Sequence, residues 1–128
     1  MGGQVAARYM TPLRTIGLLL VVSNALLQIL DWATTFVGYQ MGLREVNGPT
    51  LWLIGVIGDK YLAVSLEKVA YILVLVFILV LTNGLTRAAG SRRVNARYAS
   101  LALLDVFLVS LAVVYVGTVA ANIQALGL

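Results

Sequence analysis

The stretch Asn24-Ala-Leu-Leu-Gln28-Ile-Leu-Asp31-Trp-Ala-Thr-Thr35 decides how this chain is read. Its polar side chains Asn24, Gln28, Asp31 and Thr35 recur at spacings of four, three and four, which on a helix draws a line along one face. Around that line, over about residues 13–39, the segment is mostly Leu, Val, Ile, Ala and Gly. Crossing a bilayer takes roughly 20 apolar residues, and this stretch exceeds that. A lone carboxylate at mid-membrane costs roughly 2.5–3.5 kcal/mol on insertion scales, so Asp31 calls for a partner inside the membrane. The line predicts a polar seam in an all-α membrane bundle.

Composition agrees. Of 128 residues, 61% are apolar and 11% charged, against about 25% charged in an average soluble domain. A soluble fold of this size has too little interior to hide so much apolar surface, whereas lipid solvates it. The chain has no Cys and no His. That removes disulfides, thiolate nucleophiles, the commonest general base and the usual zinc and haem ligands. Neither a cofactor nor a metal site is expected.

Two further stretches are long enough to span, about residues 61–82 and 98–124. Asn83-Gly84 offers turn chemistry to close the second, and Pro12 a start for the first. Between the first two spans lies a run too short to cross, about residues 49–57, read as an interfacial or re-entrant helix with Trp52 at headgroup depth. The competing reading is one helix over residues 49–82, bent near Gly58. Residues 1–128 thus form a single transmembrane helical domain of three spans plus a short helix. Arg8 and Arg14 before an apolar run, then Ser23-Asn24-Ala25, also outline a signal peptide. The apolar stretch continues well beyond Ala25, and retention as a span is expected.

The net charge of +4 reads as topology. Arg8, Arg14, Arg87, Arg92, Arg93 and Arg97 fall on one side of three crossings, and Arg44 and Lys60 on the other. The positive-inside rule then puts the N-terminus and the 84–97 loop in the cytoplasm and the C-terminus outside. Arginines without interleaved aromatic residues give no reason to invoke nucleic acid. The expected partners are the lipid bilayer and, through helix faces, another protein or a second copy.

Depth then pairs the buried charges. Asp31 lies ~12 Å from the outer end of its span, and Lys68 ~10 Å from the same end of the next, at 1.5 Å per residue. They are expected to form an ion pair or share a hydrogen-bonded cluster. Thr118 and Asn122 sit at a similar level of the third span, with Tyr115 one turn deeper on the same face. The intramembrane polar cluster is therefore Asn24, Gln28, Asp31, Thr35, Lys68, Thr118 and Asn122. Two other charges are buried. Glu67 points about 100° away from Lys68, toward another subunit, Lys60 or Arg44. Asp105, nearer the cytoplasmic side, has Arg87, Arg97, Ser23 and Asn24 as candidate partners. Asp31 and Asp105 differ in depth, so they are not a proton-sharing catalytic pair. No catalytic residue is assigned and no enzyme is expected. Gly38 with Gly42, and Gly117 with Ala121, give small-xxx-small patterns that suit close helix packing.

In the outer loop, Asn47 or Thr50 can cap the short helix, Pro49 suits its first turn, and Glu45 can accept from its N-terminus. Asp31, Thr34, Thr35, Gly42, Glu45, Asn47-Gly48-Pro49 and Lys68 together resemble a widespread family of small prokaryotic membrane proteins of unknown function. Its pattern is Asp-x-x-x-Thr, a Gly, Glu-x-Asn-Pro and a Lys. The resemblance covers about residues 20–82, and this chain departs from it by inserting Gly48 between Asn47 and Pro49. It implies a helical bundle with linked Asp, Glu, Asn and Lys, and brings no activity with it. The sequence leaves three functions open: a non-enzymatic subunit of a larger membrane assembly, a small oligomeric transporter or channel using Asp31, Glu67 and Lys68, and a structural membrane protein of a virion or envelope.

Overall fold

A computed structural model describes residues 2–87 and 94–128, with side chains described at Gln4, Arg8, 12–81 and 98–128. The described residues form four helices and no strand: α1 (Gly2–Gln40), α2 (Gly48–Ile57), α3 (Lys60–Arg87) and α4 (Val94–Ala125). Three contain spans long and apolar enough to cross a membrane, Pro12–Gln40, Lys60–Leu81 and Tyr98–Ala125, and α2 is a shorter apolar helix.

Two helix ends differ from the sequence expectation. Pro12 lies inside α1 instead of opening it, because the helix already begins at Gly2. Pro12 costs one backbone hydrogen bond there, and the Ala, Gln, Arg and Met residues before it favour helix. Asn83-Gly84 does not stop α3, which runs on to Arg87. A single internal glycine costs only about 1 kcal/mol.

The junctions on either side of α2 are shaped by local chemistry. Gly42, in the left-handed region at φ 83°, follows α1, and the Leu43 N–H donates to the Gly38 carbonyl at 2.9 Å. That is a Schellman close, which satisfies a helix-end carbonyl. Gly42 therefore makes a turn; its expected packing partnership with Gly38 does not form, since Gly38 meets the Leu43 side chain instead. Gly58 ends α2 in the same left-handed region, at φ 81°, with its N–H on the Ile54 carbonyl. Asp59 then caps α3, accepting from the N–H groups of Tyr61 and Leu62 at 2.8 and 2.9 Å. The Gly58-Asp59 pair thus separates two helices, and the single bent helix over 49–82 is not formed.

The turn at Gly58 makes α2 double back along α3. Thr50 near the start of α2 meets Glu67, which lies ~10 Å along α3 at 1.5 Å per residue. Residues 43–46 likewise fold back beside Thr34 to Tyr39 of α1. Trp52, expected at headgroup depth, lines a groove with Glu67, Ala70 and Tyr71.

Among the spans, α1 is the hub, packing most extensively on α4 and then on α3, while α3 and α4 scarcely meet. Val21, Leu75 and Leu108, one from each span, form the apolar core, with Leu20, Ala25, Leu79, Leu104 and Leu111 against it. Trp32 donates to the Ser65 hydroxyl at 2.9 Å, and the Trp32, Phe36, Tyr61 and Tyr39 rings stack in series near the C-terminal end of α1 and the N-terminal end of α3. Lys60 lies over Tyr39 and Tyr61, 5.0 and 5.2 Å from their centroids. Aromatic and basic side chains of this kind are common where a span meets the membrane surface.

Gly58→Ala should lower stability in detergent by about 1 kcal/mol, because an L side chain is strained in the left-handed region. Gly55→Ala, inside α2 with open space around it, should be neutral or mildly stabilising. Thermal unfolding followed by circular dichroism compares the two; equal effects would remove the turn argument.

Candidate functional site

The polar line of α1 faces the bundle interior. Asn24 and Gln28 are wholly buried, and Asp31 is nearly so. This follows from α1 being the hub, since its polar face is the one that both other spans cover.

Asp31 and Lys68 pair at 2.5 Å, Lys68 on Oδ2. Asn122 of α4 donates its amide to Asp31 Oδ1 at 2.9 Å, to Thr34 Oγ1 at 3.1 Å and, more weakly, to Thr35 Oγ1 at 3.4 Å. One carboxylate therefore takes a partner from each of the other two spans. Lys68 also sits 5.5 Å from the Tyr115 ring centroid, and Tyr115 meets Tyr71 edge-on. A charged pair, an amide and an aromatic face converge at one level of the membrane.

Other residues of the expected cluster go elsewhere. Thr118 stays outside it, donating to the Val114 carbonyl of its own helix. Asn24 reaches α4 a few turns away, donating to the carbonyls of Leu108 at 3.0 Å and Leu20 at 2.8 Å. Gln28 lies beside the Tyr115 side chain without closing a hydrogen bond to any described residue. Thr34 replaces Thr35 as the nearer threonine, since it also stands three residues from Asp31 and so shares its face.

Glu67 does not reach Lys60 or Arg44. Its Oε2 accepts from the Thr50 hydroxyl at 2.7 Å, within the chain. Thr50 is accordingly no cap, and Asn47, although at the N-cap of α2, makes no side-chain cap bond. Pro49 occupies the first turn as expected. Glu45 accepts from the N–H groups of Val46 and Asn47 just ahead of α2, and from the Tyr39 hydroxyl at 2.5 Å. It ties the returning loop to the end of α1 instead of capping the helix.

Asp105 is buried, and neither carboxylate oxygen has a hydrogen-bond partner among the described residues. Asn24 and Ser23 are thus not its partners; the side chains of Arg87 and Arg97 lie outside the described residues. Asp105 sits against the α1 backbone at Gly17, where an added Cβ would fall 2.9 Å from Oδ1.

Beside the Asp31 cluster opens a cavity of about 330 Å³, whose walls include Thr34, Thr35, Tyr39, Arg44, Glu45 and Asn122. A second hollow of about 410 Å³, almost wholly apolar, runs between α2, α3 and α4. Among the described residues, no three Asp, Glu, His or Cys side chains are grouped to hold a metal ion.

The chain matches no protein-family model, no curated protein and no solved structure. The family resemblance carried by Asp31, Glu45, Asn47, Pro49 and Lys68 rests on those residues alone.

The pair makes a quantitative prediction. Lys68→Met leaves the Asp31 carboxylate without its counter-charge and should cost about 3–5 kcal/mol. Asp31→Asn combined with Lys68→Met should recover most of that, and Asn122→Ala alone should cost about 1–3 kcal/mol. Unfolding in a mixed-micelle denaturant series measures all three together with the single Asp31→Asn; additive losses in the double variant would mean that the two side chains are not coupled.

Proposed function

We propose that this chain is a non-enzymatic subunit of a larger membrane assembly, fastened internally by its polar residues and presenting apolar helix faces to a partner. The observation that carries this reading is the closure of the Asp31 cluster. Asp31 spends its carboxylate on Lys68 and Asn122, so this charge supports the bundle and is not held open for cargo. Such inter-helix polar bonds are the usual glue of membrane helices. Buried positions make up only 22%, 17% and 17% of the three span windows. The rest is surface that lipid or another protein must cover. On α4, Gly117 and Ala121 leave open space where a second helix can approach closely.

A second reading, a small oligomeric transporter, draws on the polar cavity beside Asn122. It would require Asp31, Glu67 and Lys68 to serve one path, whereas Glu67 is engaged with Thr50 on a different face of α3. Flux into liposomes, wild type against Asp31→Asn, separates the readings; a flux that depends on Asp31 favours the transporter.

Extraction in mild detergent followed by native gel electrophoresis should give a species larger than one chain, with a reproducible companion or a second copy. A stable monomer with nothing attached would sink the subunit reading. Orientation follows from the arginine count. Because the chain lacks Cys, single cysteines at Ser91 and Leu128 can be labelled without background. Ser91→Cys should react with an impermeant maleimide only after the cell is opened, and Leu128→Cys in intact cells with the outer side accessible. The opposite pattern reverses the topology.

A further inference from the structure

We propose that the groove between α2, α3 and α4 is a binding site for a lipophilic aromatic cation, with Glu67 as its counter-charge. The groove exists because α3 and α4 both pack on α1 and scarcely on each other. Its walls include Trp52 from α2, Tyr71 from α3 and Phe107 from α4, and among the described residues Glu67 is the only charged one lining it. Its volume of about 410 Å³ lies within the usual range for small-molecule sites, roughly 300–1,000 Å³.

Glu67 sets the chemistry. One hydroxyl, from Thr50, serves its carboxylate, and no Lys or Arg of the described residues stands within ion-pair distance. Each nearby cation is engaged elsewhere: Lys68 closes on Asp31, and Lys60 lies over Tyr39 and Tyr61. The carboxylate is thus a charge without a counter-charge at the edge of an apolar groove, where opposite charges attract far more strongly than in water. An inorganic cation fits poorly, because hard cations need about six to eight oxygen ligands and these walls offer few polar atoms. A delocalised organic cation needs none. Aromatic faces attract it, and the carboxylate neutralises it. Trp52 and Phe107 are largely exposed on the outside of the bundle, so such a ligand enters sideways from the bilayer. An acyl chain or an apolar helix of a second copy would fill the volume and leave Glu67 without a counter-charge. This site is independent of the subunit reading.

The test uses the full chain in lipid nanodiscs and tetraphenylphosphonium as probe, measured by equilibrium dialysis. Saturable binding at about one cation per chain is expected. Tetraphenylborate, alike in shape and opposite in charge, should show none. Glu67→Gln should weaken the cation by about tenfold or more, and Trp52→Leu, at an exposed position, by a smaller factor. Circular dichroism checks that each variant is folded, and if Glu67→Gln is not, Trp52→Leu and the borate comparison carry the test. Three results overturn the proposal: no saturable cation binding, equal binding of the borate, or unchanged affinity in a folded Glu67→Gln. Quantitative disulfide formation between copies by Phe107→Cys, with loss of cation binding, would reassign the groove to a helix–helix contact. A co-purifying phospholipid that the cation cannot displace would reassign it to lipid.

Discussion

An ionised group inside a bilayer must be met by the protein itself, and the Asp31 carboxylate is where this chain meets that demand. Lys68 from α3 and Asn122 from α4 both reach it. Three helices that lipid could otherwise solvate separately are therefore held at one level. Apolar packing alone gives little reason for such an arrangement, because acyl chains are as apolar as leucine. The core of Val21, Leu75 and Leu108 follows from this constraint. Once the polar face of α1 is committed inward, the apolar residues that flank it are brought against both neighbours.

The same constraint also acts at the end of the bundle that carries α2. Glu45, Glu67 and Asp59 each find donors within the chain, from Tyr39, from Thr50 and from the backbone at the start of α3. Those donors come from three elements: Tyr39 from α1, Thr50 from α2 and the backbone of Tyr61 and Leu62 from α3. Toward the other end, Asp105 and Gln28 are buried with no donor or acceptor among the described residues. Buried polar atoms normally have partners. Among the described residues the seam is thus closed around Asp31, while Asn24 alone of its next members bonds across to α4.

Much of this was readable in the sequence where the geometry of a helix is the only ruler needed. A fixed rise per residue puts Asp31, Lys68 and Asn122 at one depth whatever the loops do, and the ion pair follows from the cost of leaving either charge alone. Spacing on one helix was less decisive. Thr34 and Thr35 both lie near the face of Asp31, and only the position of α4 selects Thr34. The partner of Glu67 was out of reach, because it depends on α2 folding back. That in turn depends on the left-handed turn at Gly58, where the sequence also allowed a single bent helix. Thr118 fell away for a local reason: a threonine in a helix can satisfy its hydroxyl on the carbonyl four residues back, with no need of a neighbour.

Glu67 and Lys68 show how adjacent residues come to do separate work. Consecutive side chains on a helix diverge by about 100°, so these two charges look onto different faces of α3. Lys68 turns to α1 and is consumed by the bundle. Glu67 turns to α2 and the groove, where one hydroxyl meets it. Had the pair stood four residues apart, they would have neutralised each other along the helix. Asp31 would then have lacked a cation, and the groove a charge. The juxtaposition in sequence thus separates a structural charge from an unspent one, with α3 as the wall between them. The polar cluster can hold the spans together while the groove on the far side keeps a carboxylate that Thr50 meets but no cation of the described residues neutralises.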